Sequence, residues 1–386
     1  MRIVIAPQEF KGSLTASEAA AAMAVGAREA LPGASLEAVP MSDGGPGTVE
    51  AVVAASGGRA VATTVRDPLG RPVAAEWGTV GQDTAVIEMA AAAGLLRLAE
   101  DERDPRLAST YGVGELVRAA LDAPMESGRL IIGQGGSATN DGGAGMAQAL
   151  GVRFLDADGG ELPPGGAALA CLERIDSSGL DPRLARCEVV AATDVMNPLC
   201  GPEGASLVYG PQKGASPEVA RELDAALRRY GEIVERDVGV RVLDVPGAGA
   251  AGGLGAGLIA FLGARIEPGV EVVAEVVRLR ERVRGADLVL TGEGKLDAQT
   301  GYGKTVAGVA RIAAAEGVPV IVVAGTLGEG WERILESGVE GVELIVPRLG
   351  SLEEAMERPA EMLAAATAWA VNGWLRLRSA TGKQRG

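Results

Sequence analysis

Short apolar runs alternate with capped, Ala-rich stretches at both ends of this chain, and that alternation constrains the fold more than any other feature. Residues 2–7 form an apolar run too short for a helix. Thr15-Ala-Ser-Glu18 has capping-box spacing and opens an Ala-rich helix that stops at Pro32-Gly33. Residues 36–40 read as the next strand. In the last third, residues 288–291, 320–324 and 344–347 read as strands separated by helical segments, and Ser351-Leu-Glu-Glu354 caps the final helix in the same way. Strands alternating with helices predict a parallel, doubly wound sheet.

The middle of the chain is patterned differently. Residues 62–66 and 73–77 flank Asp67-Pro68-Leu69-Gly70, whose Asp, Pro and Gly stand where a type I turn wants them. Residues 85–89 supply a further strand, so this part reads as mixed or antiparallel. A chain of 386 residues exceeds what one hydrophobic core usually serves. The expected assembly is α/β throughout. A Rossmann/flavodoxin-like parallel sheet domain comes from residues 1–61 plus 266–378, a second α/β domain is inserted at 62–265, and 379–386 form a flexible tail.

Composition then removes whole classes of function. The chain has no histidine, which excludes a Ser-His-Asp hydrolase, a His-ligated metalloenzyme and a phosphohistidine enzyme. Any general base must be a carboxylate, Lys, Tyr or Cys. The net charge of -15 argues against nucleic acid or an anionic membrane surface as partner. Cys171, Cys187 and Cys200 show no CxxC spacing and fit a reduced compartment. The first seven residues turn polar too soon for a signal peptide, so a cytoplasmic location is expected. The uncharged stretch between Asp244 and Arg265 is mostly Gly and Ala and reads as a loop entering a buried helix, not a membrane span. A homodimer is left open.

Five segments carry groups suited to chemistry. Gly133-Gln-Gly-Gly-Ser-Ala-Thr-Asn-Asp-Gly-Gly143 follows the strand at 130–132. Its glycines let backbone approach a ligand, the following helix offers free N–H groups to an anion, and Ser137, Thr139, Asn140 and Asp141 add polar side chains. The alternative is a tight turn with an Asn/Asp helix cap. Ser42-Asp43-Gly44-Gly45-Pro46-Gly47-Thr48 offers Asp43 to a metal or a substrate hydroxyl, or is simply an Asx-Gly turn.

Thr291-Gly-Glu-Gly-Lys295 with Asp297 and Gln299-Thr-Gly-Tyr-Gly-Lys304-Thr305 nearly contains a P-loop, but Ala298 stands where its first glycine belongs. Glu293 and Asp297 are candidate Mg²⁺ ligands and Lys304 a phosphate contact. Gly247-Ala-Gly-Ala-Ala-Gly252 satisfies GxGxxG, yet Asp244 and Pro246 interrupt the strand that should feed it. Ala192-Thr-Asp194-Val-Met-Asn197-Pro198 puts a carboxylate at a strand's carboxyl end, where a base belongs, though Asn-Pro is also an ordinary turn. Lys11 and Lys213 are cations flanked by glycines. A weak echo links Asp141-Gly-Gly-Ala-Gly to Gly252-Gly-Leu-Gly: a duplication, or two Gly loops before helices.

Together and in this order these segments resemble the bacterial type I glycerate kinases across nearly the whole chain. Ala6-Pro7 with Phe10-Lys-Gly-Ser-Leu14 is similar to that family's opening motif. Ser42 to Thr48, Gly135 to Gly143, Asp194-Val with Asn197-Pro-Leu, Gly210 to Ala215, Gly247 to Gly255 and Thr291-Gly-Glu-Gly with Asp297 resemble the rest. The resemblance implies a two-domain α/β enzyme that moves the γ-phosphoryl of ATP, with Mg²⁺, onto glycerate, usually at the 2-hydroxyl. Gln8 and Glu9 depart from the family's Asp-Ser, Pro46 from its Glu, and Arg66-Asp67 from its more usual Thr-Gly.

Phosphoryl transfer needs positioning and charge neutralisation more than covalent chemistry, which suits a chain without histidine. In the expected scheme Asp194 is the base and Lys11 neutralises the transferring group. Asp43, Glu293 and Asp297 hold Mg²⁺. Gly135, Gly136, Thr139, Asn140, Asp141, Lys213 and Lys304 hold nucleotide or phosphate, while Arg66, Arg71, Asn197 and Ser137 bind the substrate, the arginines by clamping its carboxylate. An NAD-dependent hydroxy-acid dehydrogenase, motivated by the GxGxxG, and a non-catalytic ligand-binding protein are the competing readings.

Overall fold

A computed structural model describes residues 1–123, 128–301, 304–346, 348 and 350–382. The chain divides into two units: residues 1–43, 50–57 and 270–386 in the first, 44–49 and 58–269 in the second.

The first unit holds a five-stranded sheet in the order Val339–Leu344, Val320–Leu327, Leu288–Leu296, Arg2–Ile5, Ser35–Ala38. Every pairing is parallel. Both chain ends build this sheet, as the alternation predicts. From Arg2–Ile5 the chain steps outward to one side through Ser35–Ala38, and after the insertion it resumes on the other side. The junction of Arg2–Ile5 with Leu288–Leu296 is therefore the topological switch point, where the carboxyl ends of parallel strands leave a crevice for ligands. Ile3, Ile5, Leu288, Leu290 and Val323 pack with Met23 and Leu363 to form this unit's core.

Local chemistry explains the boundaries. Thr15 caps helix Ala16–Ala30 in a full capping box with Glu18, as its spacing requires. Ser351 forms the second box, but it opens a short helix, Leu352–Glu357, and the final helix Pro359–Gly382 starts separately at its proline. That helix runs into the stretch expected to be a tail, and residues 383–386 lie outside those described.

Two strand expectations need correction. The last strand is Val339–Leu344, where 344–347 was expected: its alternating Val-Glu-Gly-Val-Glu-Leu suits an exposed edge. Ile345 N and Val346 N still donate to the Ala324 and Gly325 carbonyls at 2.9 and 3.0 Å, and Pro347 lies outside the described residues. Leu288–Leu296 runs five residues longer than expected, because Gly292 lets it lie against its neighbour; a Cβ there would stand 2.1 Å from the Val323 carbonyl oxygen.

The second unit holds a six-stranded mixed sheet in the order Arg265–Glu267, Glu188–Ala192, Arg129–Gly133, Thr84–Glu88, Pro72–Val80, Arg59–Arg66. The first four strands are parallel and the last two form an antiparallel hairpin. Its turn is held by Asp67, whose Oδ1 accepts N–H bonds from Leu69 and Arg71, both at 2.9 Å. The core of this unit includes Trp77, Ile87, Ile132 and Tyr230, with Phe154 packed edge-on against Phe261 at 5.7 Å. Among the described residues no helix is long and apolar enough to cross a membrane.

Candidate active site

At the switch point of the first unit lies a cavity of about 340 Å³, lined by Glu9, Lys11, Asp43, Glu293, Asp297 and Lys304 among others. That volume is within the range of small-molecule sites. Each side chain arrives for a topological reason. Glu9 and Lys11 follow strand Arg2–Ile5, whose extension pairs Gln8 N with the Gly292 carbonyl at 2.9 Å. Asp43 follows the neighbouring strand, and Gln8 Nε2 donates to Asp43 Oδ2 at 3.3 Å. Glu293 stands on Leu288–Leu296 itself.

The electrostatics single out Glu293. Burial pushes its carboxyl up to about 7; the Thr300 hydroxyl and Lys304 pull the other way, while Asp297 and Asp43 add to the rise. Burial also raises Glu9, with Lys11 opposing and Asp43 reinforcing. Thr300 Oγ1 donates to Glu293 Oε1 at 2.6 Å and accepts from Asp297 N at 3.2 Å. Among the described residues no three of the side chains His, Cys, Asp or Glu gather closely enough to hold a metal unaided. Mg²⁺ does not ask for that: it keeps several waters and takes one or two carboxylates plus substrate phosphates. Carboxylates lining one cavity, one of them raised by burial to about 7, fit such an ion.

The near-P-loop segment is not one. Ala298–Gly301 is a single helical turn, and Lys304 stands at the N-cap of helix Thr305–Ala315. Tyr302 and Gly303 lie outside the described residues.

The glycine-rich segments of the second unit serve backbone packing more than ligand approach. The loop at 44–46 lies directly on the carboxyl ends of two strands. Gly135 N donates to the Gly44 carbonyl at 3.3 Å, and a Cβ on Gly135 would stand 2.5 Å from Gly45 Cα. A Cβ on Gly136 would stand 2.9 Å from Pro46 Cγ, so the departure at Pro46 is accommodated by a glycine opposite it. Gly252, at φ 72, touches the loop at 139–142: Gly142 N donates to the Gly252 carbonyl at 3.1 Å, and a Cβ on Gly252 would fall 1.9 Å from the Thr139 carbonyl oxygen. The GxGxxG therefore has a structural cause. Gly247 and Gly249 precede helix Ala250–Leu262 with no strand feeding them, and the dinucleotide-binding expectation falls. The echo between the two Gly segments is two loops packed on each other.

Several side chains expected to meet ligand are committed inside the protein. Asp141 is 1% exposed and accepts from Thr110 N (2.8 Å), Thr110 Oγ1, Gly143 N and Gly145 N, which organises helix Ala144–Ala149. Asn140 is fully buried and donates to Ser206 Oγ at 2.9 Å. Asn197 engages both amide ends, donating to the Glu203 carbonyl at 2.7 Å and accepting from Tyr209 at 2.9 Å. Arg71 binds Asp67 and Glu102, both at 2.6 Å, through the fork a substrate carboxylate would need. Arg66 lies over the Tyr111 ring at 4.2 Å. A capping or turn reading of Asn/Asp segments fits these residues better than ligand contact, and only long-range partners such as Thr110 decide it.

Ser137, Thr139 and Lys213 form one buried cluster. Lys213 Nζ donates to the Thr139 carbonyl at 2.6 Å, and Ser137 Oγ donates to the Ala251 carbonyl at 3.2 Å. Burial holds the Lys213 amine down at about 7, with Asp141 opposing. Asp194, half-buried, follows strand Glu188–Ala192, and its Oδ1 accepts from Gly269 N at 3.0 Å. Sequence reasoning gave no role to Thr300, although it lies within the near-P-loop segment, nor to Glu88, whose carboxylate accepts from Gly47 N and Val49 N.

Comparison with known proteins gives the chain its relatives. The Glycerate kinase family pattern matches residues 3–375. The chain is 50% identical to "Glycerate kinase" of Halalkalibacterium halodurans, over 96% of this chain and 98% of that one. It is 48% identical to "Glycerate 2-kinase" of Escherichia coli K12, over 92% and 93%. A crystal structure of a candidate glycerate kinase 2 from Salmonella typhimurium LT2 superposes with a TM-score of 0.88 at 46% identity, covering 98% of this chain and 99% of that one.

Proposed function

The chain belongs to the glycerate kinase family, and from that premise we propose that it transfers the γ-phosphoryl group of ATP to the 2-hydroxyl of D-glycerate, giving 2-phosphoglycerate and ADP. The observation that carries this reading is the cavity at the switch point of the first unit's parallel sheet. It combines lysines, which suit phosphate oxygens, with carboxylates, which suit a divalent cation.

Glu293 with Asp43 or Asp297 would hold Mg²⁺ together with phosphate oxygens and water, and the ion would neutralise charge on the phosphates. Lys11 and Lys304 face the same cavity and take the phosphate oxygens; Lys11, the more exposed, follows the transferring group. Asp194 keeps one oxygen anchored on Gly269 N and is the base that accepts the glycerate hydroxyl proton. The oxygen then bonds to phosphorus, the bond to ADP breaks, and the proton resides on Asp194. Arg66 is the better candidate for the glycerate carboxylate, since its side chain stands 3.8 Å from one acid, Glu115, whereas Arg71 is held by two at 2.6 Å. Lys213, Ser137 and Thr139 act by holding their loop, not by touching phosphate. The free cysteines and the use of ATP favour a cytoplasmic location.

A coupled assay tests the reading. D-glycerate with Mg-ATP should release ADP stoichiometrically. NADH formation from glycerate and NAD, or neither product, would sink it.

A further inference from the structure

Thr300 is 2% exposed, lies on the single helical turn Ala298–Gly301, and has no place in the scheme so far. Its hydroxyl nonetheless bonds to groups of two of the four carboxylate residues that line the cavity. It donates to Glu293 Oε1 at 2.6 Å and accepts from the backbone N–H of Asp297 at 3.2 Å. Its own N–H returns to the Asp297 carbonyl at 3.0 Å, so Asp297 and Thr300 close a turn on each other.

This geometry solves a specific problem. Glu293 shares its surroundings with two further negative charges, Asp43 and Asp297. A carboxylate on a flexible stem would rotate away from them. A short hydrogen bond to an ionised oxygen is worth more than a neutral one and has a fixed direction. Because the hydroxyl is buried and already accepts from Asp297 N, its proton has one direction left, toward Glu293. A serine or threonine is required for this, since it must accept and donate from one small buried group.

We propose that Thr300 is a positioning residue that fixes the Glu293 carboxylate for a divalent cation and sets its separation from Asp297. The inference rests on the reading of Glu293 as a metal-holding residue.

The test is titration of Mn²⁺, a paramagnetic stand-in for Mg²⁺, into the full-length protein with ATP and no glycerate, read by electron paramagnetic resonance. Losing a group that orients a metal ligand typically weakens binding roughly 10–100-fold. Thr300→Val should show such a loss, and Thr300→Ser, which keeps the hydroxyl, should stay within about threefold of wild type. If Thr300→Val melts far below wild type, Thr300→Ala removes the same hydroxyl without a branched side chain and is read instead. Wild-type Mn²⁺ affinity in the hydroxyl-less variant, or equal losses in Thr300→Ser, overturns the inference. Glu293→Gln separates the two layers. If it weakens Mn²⁺ binding while Thr300→Val does not, Thr300 alone is wrong. If it binds like wild type, the metal reading of Glu293 falls and takes the Thr300 inference with it.

Discussion

Lys213 Nζ donates to the carbonyl oxygen of Thr139 at 2.6 Å from a side chain that is only 2% exposed. A neutral amine still has N–H donors, so this bond survives deprotonation. Burial lowers the folded amine to about 7 from an ordinary 10.5, so between those values the unfolded chain binds a proton that the native chain does not. The cost of burying the charge is fully present below the folded value and disappears as pH climbs toward the unfolded one. The melting temperature of wild type relative to Lys213→Met should therefore rise steadily from about pH 7 to about pH 10. A difference that stays flat with pH would contradict a buried, titrating Lys213.

Glu293 gives the opposite slope. Its folded value is raised from 4.5 to about 7, so the native chain holds the extra proton. That contribution is present below the unfolded value and is lost as pH rises through the folded one. Without metal, wild-type stability relative to Glu293→Gln should fall between about pH 4.5 and about pH 7. Saturating Mg-ATP should stabilise wild type more at about pH 8 than at about pH 5.5, because only the ionised carboxylate takes the cation. Equal Mg-ATP shifts at both pH values would remove Glu293 from the metal site.

Gly252 and Gly263 separate crowding from backbone preference. Both have positive φ, 72 and 64, but a Cβ on Gly252 meets Thr139 at 1.9 Å while one on Gly263 meets nothing within 4 Å. Gly263→Ala should cost about 1–2 kcal/mol, the left-handed penalty alone. Gly252→Ala should cost at least about 3 kcal/mol, since backbone must also move. Urea denaturation reads both, and equal costs would mean that the loops do not pack as described.

What the sequence made legible follows from the range of the forces involved. Capping boxes at Thr15 and Ser351 and the Asp67 turn depend on neighbours a few residues away, and they stand where spacing puts them. The parallel sheet built from both chain ends was legible through alternation alone. Within the candidate site, Lys11, Asp43, Glu293, Asp297 and Lys304 stand out in sequence as charged groups in glycine-containing segments, and they line one cavity. The Gly-rich loops misled, because glycine that admits a ligand and glycine that admits another backbone look alike in sequence. Gly135 against Gly45 and Gly252 against Thr139 are the second kind. The internal partners of Asp141 and Asn140, Thr110 and Ser206, lie 31 and 66 residues away and leave no local trace in the sequence.

Asp194 carries the proposed proton transfer. Asp194→Asn keeps an oxygen for the Gly269 N–H but cannot take the hydroxyl proton. Turnover should fall on the order of 10²–10⁴, less if the transition state is loose, while KM for ATP and the melting temperature stay near wild type. A loss confined to KM for glycerate would make Asp194 a substrate ligand instead of a base.

Nuclear magnetic resonance of the product shows whether a phosphoryl group has passed from ATP to the 2-hydroxyl of glycerate. After complete reaction of D-glycerate with Mg-ATP, phosphorus–proton coupling should appear at the C2 proton, with ADP formed in equal amount. Coupling at the C3 protons would contradict the assigned hydroxyl, and unchanged glycerate in the presence of folded protein would contradict glycerate phosphorylation itself.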